Sequence, residues 1–204
     1  MPQAVTIDIL DRMRPNLASL IQERAKTLAG MRYCDLRISV REEKGAMAEN
    51  GNEKASAEDY IFDFGVRAIA GTRMTAAGYF GQILGAADAG HIESVVWQGI
   101  RQAHQRARSS ARMKGVIRGR FGALGESLSG TELAPIAVVQ DEIPAIYSQD
   151  PRAVPLAETV KMAVDGCKAL QSGSVVYAAT STNTFLLREL FLSSDGADID
   201  QSFA

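Results

Sequence analysis

The sequence predicts an α+β protein in which antiparallel or mixed sheets pack against long helices, organised as two small α/β subdomains. Residues 33–42 alternate apolar and polar side chains with the period of two that a half-buried strand requires. Residues 60–70 repeat this alternation. Two other stretches, 17–28 and 92–111, carry apolar side chains at helical spacing instead. Strands and helices therefore alternate along the chain in both halves.

Composition excludes several classes of protein. The chain has 204 residues, of which 46% are hydrophobic and 23% charged, as in globular proteins generally. A formal net charge of −2 implies no general attraction to nucleic acid or to acidic membranes. The sequence has no run near the roughly 18 apolar residues of a membrane span, and no signal-peptide core at its start. We therefore expect a soluble, cytoplasmic protein without a membrane partner.

The first helix and strand have clear local signals. Pro15 suits the first turn of a helix, and Gly30 is placed to end it as a left-handed cap. In strand 33–42, one face carries Cys34 together with Leu36, Ile38 and Val40. A weaker strand at 45–49 leads to Asn50-Gly51, a strong turn signal. The polar residues 52–59 fit either a strand or a loop.

The stretch 59–81 predicts a β-hairpin around which the chain is organised. Gly71-Thr72 interrupts the alternation of 60–70, and a shorter alternation resumes at 74–80. Gly65 and Gly78 lie inside the two strands, where glycine is unfavourable and marks a special environment. Either these two glycines relieve crowding under a helix, or they let another backbone approach closely.

A second helix is predicted at 89–113, with Asp88 as its N-cap and Gly115 as its stop. Seven Lys or Arg fall between positions 101 and 120, and no acidic residue lies between Glu93 and Glu126. This basic surface could contact phosphates, or it could be a solvated helix face that runs into a linker. We expect the second, with four arginines exposed to solvent: Arg101, Arg106, Arg108 and Arg112.

The second half of the chain is predicted to be a separate unit. Glycines and prolines punctuate residues 115–150, so we divide the chain into an N-terminal domain, 1–115, and a linker with a middle domain, 116–204. A helix at 155–171, strands at 175–182 and 185–193, and an Asp195-Gly196 turn follow. An alternating pattern begins at 197 and stops with the last residue, which predicts a middle domain truncated at its C-terminal end.

The sequence shows no catalytic or metal-binding constellation. His91 and His104 are thirteen residues apart on one predicted helix, too far for one ion. Cys34 and Cys167 both fall on apolar faces, which predicts packed core thiols. The sequence contains no nucleophile elbow, phosphate loop or CxxC pair. We therefore assign no catalytic residue, metal ligand or cofactor to this chain.

The order of motifs resembles the first part of the TldD/PmbA family, also called modulator of DNA gyrase. The resemblance rests on the strand YCDLRISVREEK, the hairpin DFGVRAIAGTRMTAAGYFG and the Ala/Arg-rich helix that follows. LAP at 133–135 is similar to the family's linker, and SSDG at 193–196 is similar to its turn.

The resemblance implies a zinc metallopeptidase that works as a homo- or heterodimer on unfolded peptides. In that family the zinc lies in a C-terminal domain with an HExxxH motif, which this sequence lacks. We therefore expect a non-catalytic portion that shapes substrate access and dimer contacts. The alternative is a nucleic-acid-associated module using the basic helix 101–120, a partner we consider less favoured. A peptide would dock on a strand edge near Gly65 and Gly78.

Overall fold

The computed structural model describes residues 5–127, 133–134, 137–171 and 173–204. The described helices are α1 (Ile9–Ser19), α2 (Ile92–Ser127) and α3 (Leu156–Leu170). The described strands are β1 (Met31–Glu49), β2 (Asn52–Ala70), β3 (Ala76–Leu84), β4 (Gln140–Ile143), β5 (Ala179–Ser193) and β6 (Asp198–Phe203). The predicted α+β class is confirmed.

The six strands form one mixed sheet in the order β3-β2-β1-β5-β6-β4. All neighbours pair antiparallel except β4 and β6, which are parallel. The β1–β2 hairpin closes at Asn50 and Gly51, whose φ angles of 49° and 76° match the turn predicted there. The Asp195-Gly196 turn is also confirmed, with Gly196 at a φ of 101°.

The strands are longer than their local patterns predict. Residues 45–49, predicted as a separate strand, belong to the continuous 19-residue strand β1. Residues 52–59, for which a strand and a loop were both open, belong to the 19-residue strand β2. Likewise β5 is one strand where two were predicted. The reason is pairing, since β1 is flanked along its length by β2 and β5 and their ladder satisfies its backbone groups on both sides.

Helix α1 begins earlier than predicted, so Pro15 lies inside it and not in its first turn. Pro15 cannot donate a backbone hydrogen bond within the helix. The burial of four apolar side chains compensates for this loss: Ile9, Leu10, Met13 and Leu17. The chain continues through a short π-helix, Leu20–Arg24, and a 3-10 helix, Ala25–Thr27. Gly30 has the predicted left-handed φ of 73°, but it lies in the turn before β1 and does not end the helix.

Helix α2 is also longer than predicted. A 3-10 turn, Asp88–His91, precedes it, so Asp88 is not its N-cap, and Gly115 does not stop it. A single glycine in a helix costs about 1 kcal/mol, which is too little to end it. The residues from 112 to 124 are mostly exposed, and the φ of 53° at Gly122 marks a kink.

The boundary drawn at 115/116 falls within α2. Strands β1 and β5, from opposite sides of that boundary, pair from Asp35–Ser193 to Glu49–Ala179. The division into two domains stays a prediction.

The core lies between one face of the sheet and the helices. Beneath α1 and α2, the inward side chains of β1 and β2 form the main cluster with those of the helices, including Leu36, Ile38, Phe62, Leu17 and Ile100. Further along the same strands, α3 covers a smaller cluster built mainly from alanines and Cys167. The opposite face of β1, β2 and β3 carries the alternate side chains, several of them exposed.

Candidate peptide-binding edge and basic helix face

Strands β3 and β4 form the two edges of the sheet, and they differ sharply. β4 has only four residues and carries Asp141 and Glu142. Short length and charge are the usual protection of a sheet edge against pairing with another strand. β3 has nine residues, AAGYFGQIL, with no charged side chain. The β3 edge is therefore the one suited to accept a further strand.

Gly78 in β3 lies against helix α2. A Cβ atom at this position would lie 2.2 Å from the Ala103 carbonyl oxygen and 2.4 Å from the Ala107 nitrogen. The backbone that approaches Gly78 closely is therefore that of α2. A bulky residue here would disturb the core, so Gly78 cannot report on peptide binding in a substitution experiment.

Gly65 lies in a different environment. It pairs with Gly81 of β3 and with Arg37 of β1, and a Cβ atom there would meet no heavy atom within 4 Å. The two glycines floor a shallow depression of about 540 Å³ on the open sheet face, between Tyr79 and Phe191. Gly65 thus leaves backbone accessible from the face of the sheet, beside the β3 edge.

The basic face of α2 is exposed, as predicted: Arg101, Arg106, Arg108 and Arg112 all lie at the surface. Arg106 also ties the helix to the edge strand. Its Nη1 atom donates to the Tyr79 carbonyl oxygen at 2.5 Å, and its guanidinium lies 5.7 Å from the centre of the Phe80 ring. That this face binds no nucleic acid stays a prediction, and a nucleic-acid-associated module stays the alternative.

The histidines and cysteines have structural surroundings. His104 is buried, with its Nε2 atom 3.0 Å from the Ala29 carbonyl oxygen, whereas His91 is exposed. Burial raises the pKa of the Cys34 thiol to about 12, with a further contribution from Asp35. Cys167 is buried and donates its thiol to the Ala178 carbonyl oxygen at 3.3 Å. Both cysteines are core residues, as predicted.

Among the residues that the structure describes, no group of three or more His, Cys, Asp or Glu is arranged to hold a metal ion. No helix in the described part of the chain is long and apolar enough to cross a membrane.

One cavity of about 410 Å³ is lined by two pairs of acidic residues, Glu42-Glu43 and Glu58-Asp59. The register of β1 and β2 places Glu43 opposite Asp59 and Lys44 opposite Glu58, a proximity that no local pattern could reveal. Glu42 accepts a hydrogen bond from the Ile7 nitrogen at 2.8 Å. Lys44 donates to the carbonyl oxygens of Arg152 and Val154. These polar groups already have partners within the protein.

Comparison with known proteins shows similarity in fold alone. No family model matches the sequence, and no curated protein matches it. Among solved structures, TldE from Thermococcus kodakarensis is 12% identical, with a TM-score of 0.54 over 92% of this chain. A protein described as a modulator of DNA gyrase, from Bacteroides thetaiotaomicron, is 11% identical, with a TM-score of 0.58 over 95% of this chain.

This chain spans only 37% of the length of the first of these proteins and 39% of the second. Identity this low supports no transfer of individual residues, but the fold match extends over nearly the whole chain. The resemblance to the TldD/PmbA family predicted from the motifs is thus confirmed at the level of the fold, which this chain shares with TldE and the gyrase-modulator protein.

Proposed function

We propose that this chain is a non-catalytic portion of a TldD/PmbA-like zinc metallopeptidase that matures or degrades peptides. In this role it contributes substrate access and the contacts of a homo- or heterodimer. The observation that carries the proposal is the fold shared with the gyrase-modulator protein over 95% of the chain. The sequence contains no HExxxH motif, so a catalytic zinc in such an assembly would come from another domain or subunit.

Within this function, the β3 edge is the peptide-docking surface. Recognition of unfolded chains that differ in sequence depends on main-chain hydrogen bonds, which an edge strand supplies. β3 offers nine uncharged residues, and the adjacent Gly65 and Gly81 contribute no side chain to the sheet face beside them. The edge β4, with its two acidic residues, is unsuited to this role.

The test compares one lysine substitution at each edge. Ile83 in β3 is 78% exposed and Ile143 in β4 is 48% exposed, so both accept lysine without disturbing the core. Lysine on an edge strand discourages strand addition. We expect Ile83→Lys to weaken binding of an unfolded, fluorescently labelled peptide by roughly tenfold, about 1.4 kcal/mol. Ile143→Lys should bind as the parent does.

Fluorescence anisotropy measures the affinities, and the same preparations are analysed for metal after a chelator wash. Equal peptide affinity in both variants would show that the β3 edge is not the docking surface. One tightly held zinc per chain, or peptide cleavage by the chain alone, would contradict the non-catalytic role.

A further inference from the structure

The charges of this chain are strongly segregated. Three segments, 24–34, 64–87 and 94–125, contain no Asp or Glu, yet they carry three, two and seven Lys or Arg. Twelve of the 22 basic residues thus lie in acid-free segments, while all 24 acidic residues lie elsewhere. The net charge of −2 is near neutral, so it does not reveal that basic and acidic residues lie in different segments.

The fold brings the three segments together at one end of the sheet. The Gly71 nitrogen donates to the Gly30 carbonyl oxygen at 2.9 Å, which joins the β2–β3 turn to the segment before β1. A Cβ atom on Gly71 would lie 3.1 Å from the Ala111 side chain, so the same turn packs directly on α2. Lys114 donates to the Thr75 carbonyl oxygen at 3.0 Å and fixes this contact.

At this junction three arginines surround a depression of about 370 Å³, which we call the arginine pocket: Arg73, Arg108 and Arg112. Its floor consists of small residues, including Gly30, Gly71 and Ala111. All three arginines are exposed, and none forms an ion pair or hydrogen bond with another residue that the structure describes. The neighbouring Arg32, by contrast, donates to the Gly71 carbonyl oxygen and holds the turn.

We propose that the arginine pocket binds a single phosphate-class oxyanion, either free phosphate or a phosphate monoester. Guanidinium groups pair with phosphate oxygens through two parallel hydrogen bonds, and such pairs are stronger than neutral ones. Arg108 and Arg112 are one helical turn apart, about 6 Å along the axis, and Arg73 of the β2–β3 turn lines the same depression. No acidic residue lines the pocket, and the three chain segments that meet there contain none, so its positive potential is not neutralised by a lining carboxylate.

The pocket is suited to one anion more than to a nucleic-acid duplex. Its three arginines line one small depression, whereas binding of a duplex needs contacts spread along the phosphate backbone of the nucleic acid. Arg101, which a duplex along α2 would also contact, lies outside the arginine pocket, beside His104 and Gln105. No aromatic residue lines the arginine pocket, so the pocket itself offers no platform for stacking bases.

The experiment titrates the whole chain with inorganic phosphate at constant ionic strength, with chloride as the balancing anion, and follows binding by NMR shifts and thermal stability. A ligand that binds only the native state raises the melting temperature as its concentration rises. We expect saturable binding of one phosphate per chain. Arg73→Gln and Arg108→Gln should each weaken it roughly tenfold or more, because each removes a charge-assisted hydrogen-bond donor. Arg101→Gln is the matched control and should bind phosphate as the parent does.

Three results would overturn the proposal. A non-saturating effect that chloride reproduces would mean ordinary screening. Equal weakening by Arg101→Gln would mean a diffuse basic surface without a defined site. Duplex DNA binding that depends equally on Arg101 and Arg108 would mean an extended phosphate surface. Separate titrations with glycerol phosphate and with free phosphate compare the affinities of the pocket for a monoester and for the free ion, and the tighter of the two is the preferred ligand.

Discussion

At the scale of single residues, two glycines of the central hairpin, Gly65 and Gly78, give the same signal in the sequence but have opposite environments. Gly78 faces the backbone of α2, where a Cβ atom would lie within 2.9 Å of three heavy atoms. Gly65 faces the open side of the sheet, where a Cβ atom would meet nothing within 4 Å. Of these two positions, only position 78 requires glycine for steric reasons.

These environments predict different effects of the same substitution. Gly78→Ala should lower the free energy of unfolding by about 3 kcal/mol or more, because the clash is with backbone atoms that cannot rotate away. Gly65→Ala should be neutral or stabilising by a few tenths of a kcal/mol, because alanine restricts the unfolded chain and fits the strand. Urea denaturation of both variants checks this. Equal destabilisation would contradict the assignment of close packing to Gly78 alone.

At the scale of secondary-structure elements, a charged network fastens α1 to the sheet. Arg188 in β5 contacts Asp200 in β6 and Asp11 in α1, each at 2.6 Å. Arg14 in α1 contacts Asp200 at 3.3 Å and Asp198 at 3.1 Å. Asp200 is 8% exposed in its side chain, whereas Asp11 is 61% exposed. The two carboxylates should therefore contribute very differently to stability.

Asp200→Asn should lower the free energy of unfolding at pH 7 by about 3 kcal/mol, because it leaves two arginines short of a buried partner. Asp11→Asn should cost less than about 1 kcal/mol, because solvent screens an exposed pair. The hydrogen bond from Arg188 is the main cause that lowers the pKa of Asp11 below its ordinary 3.8. The contribution of Asp11 is therefore complete above that value and is lost as the pH falls through the lowered pKa.

Thermal denaturation at pH 7 and at about pH 2 separates these effects. At the lower pH a larger fraction of the Asp11 carboxyl is protonated in the parent, so the difference in stability between the parent and Asp11→Asn should shrink. A difference between them that persists unchanged at acid pH would contradict the ion pair with Arg188.

At the scale of the whole molecule, a single sheet joins both halves of the chain. Strand β1 pairs with β2 on one side and with β5 on the other, so a central strand is shared by the segments 1–115 and 116–204. Helix α3, from the second segment, covers alanines of β1 from the first. Separate unfolding of either segment would expose core surface of the other.

We therefore expect cooperative unfolding of the whole molecule in one transition. The single tryptophan, Trp97, reports on α2, while far-ultraviolet circular dichroism reports on all strands and helices. In urea, the two signals should give the same midpoint, as two-state unfolding requires. Two separated midpoints would instead support the division into two domains at 115/116.

Several features follow from the sequence alone. The alternation of residues 33–42, the Asn50-Gly51 turn and the burial of Cys34 and Cys167 were predicted correctly. Each of these depends on neighbours within a few residues, through the period of the strand or helix or through the backbone freedom of a turn. The motif order also carried the fold resemblance that the solved structures confirm.

Other features were decided only by the tertiary structure. Residues 45–49 became part of a long strand because β5, at least 130 residues further on, pairs with them. Glycine is required at position 78 because the backbone of α2 packs against it. Arg73 of the β2–β3 turn joins Arg108 and Arg112 in the arginine pocket only because the turn packs on α2. In each case the partners are distant in the chain, and local pattern holds no information about which distant segments meet.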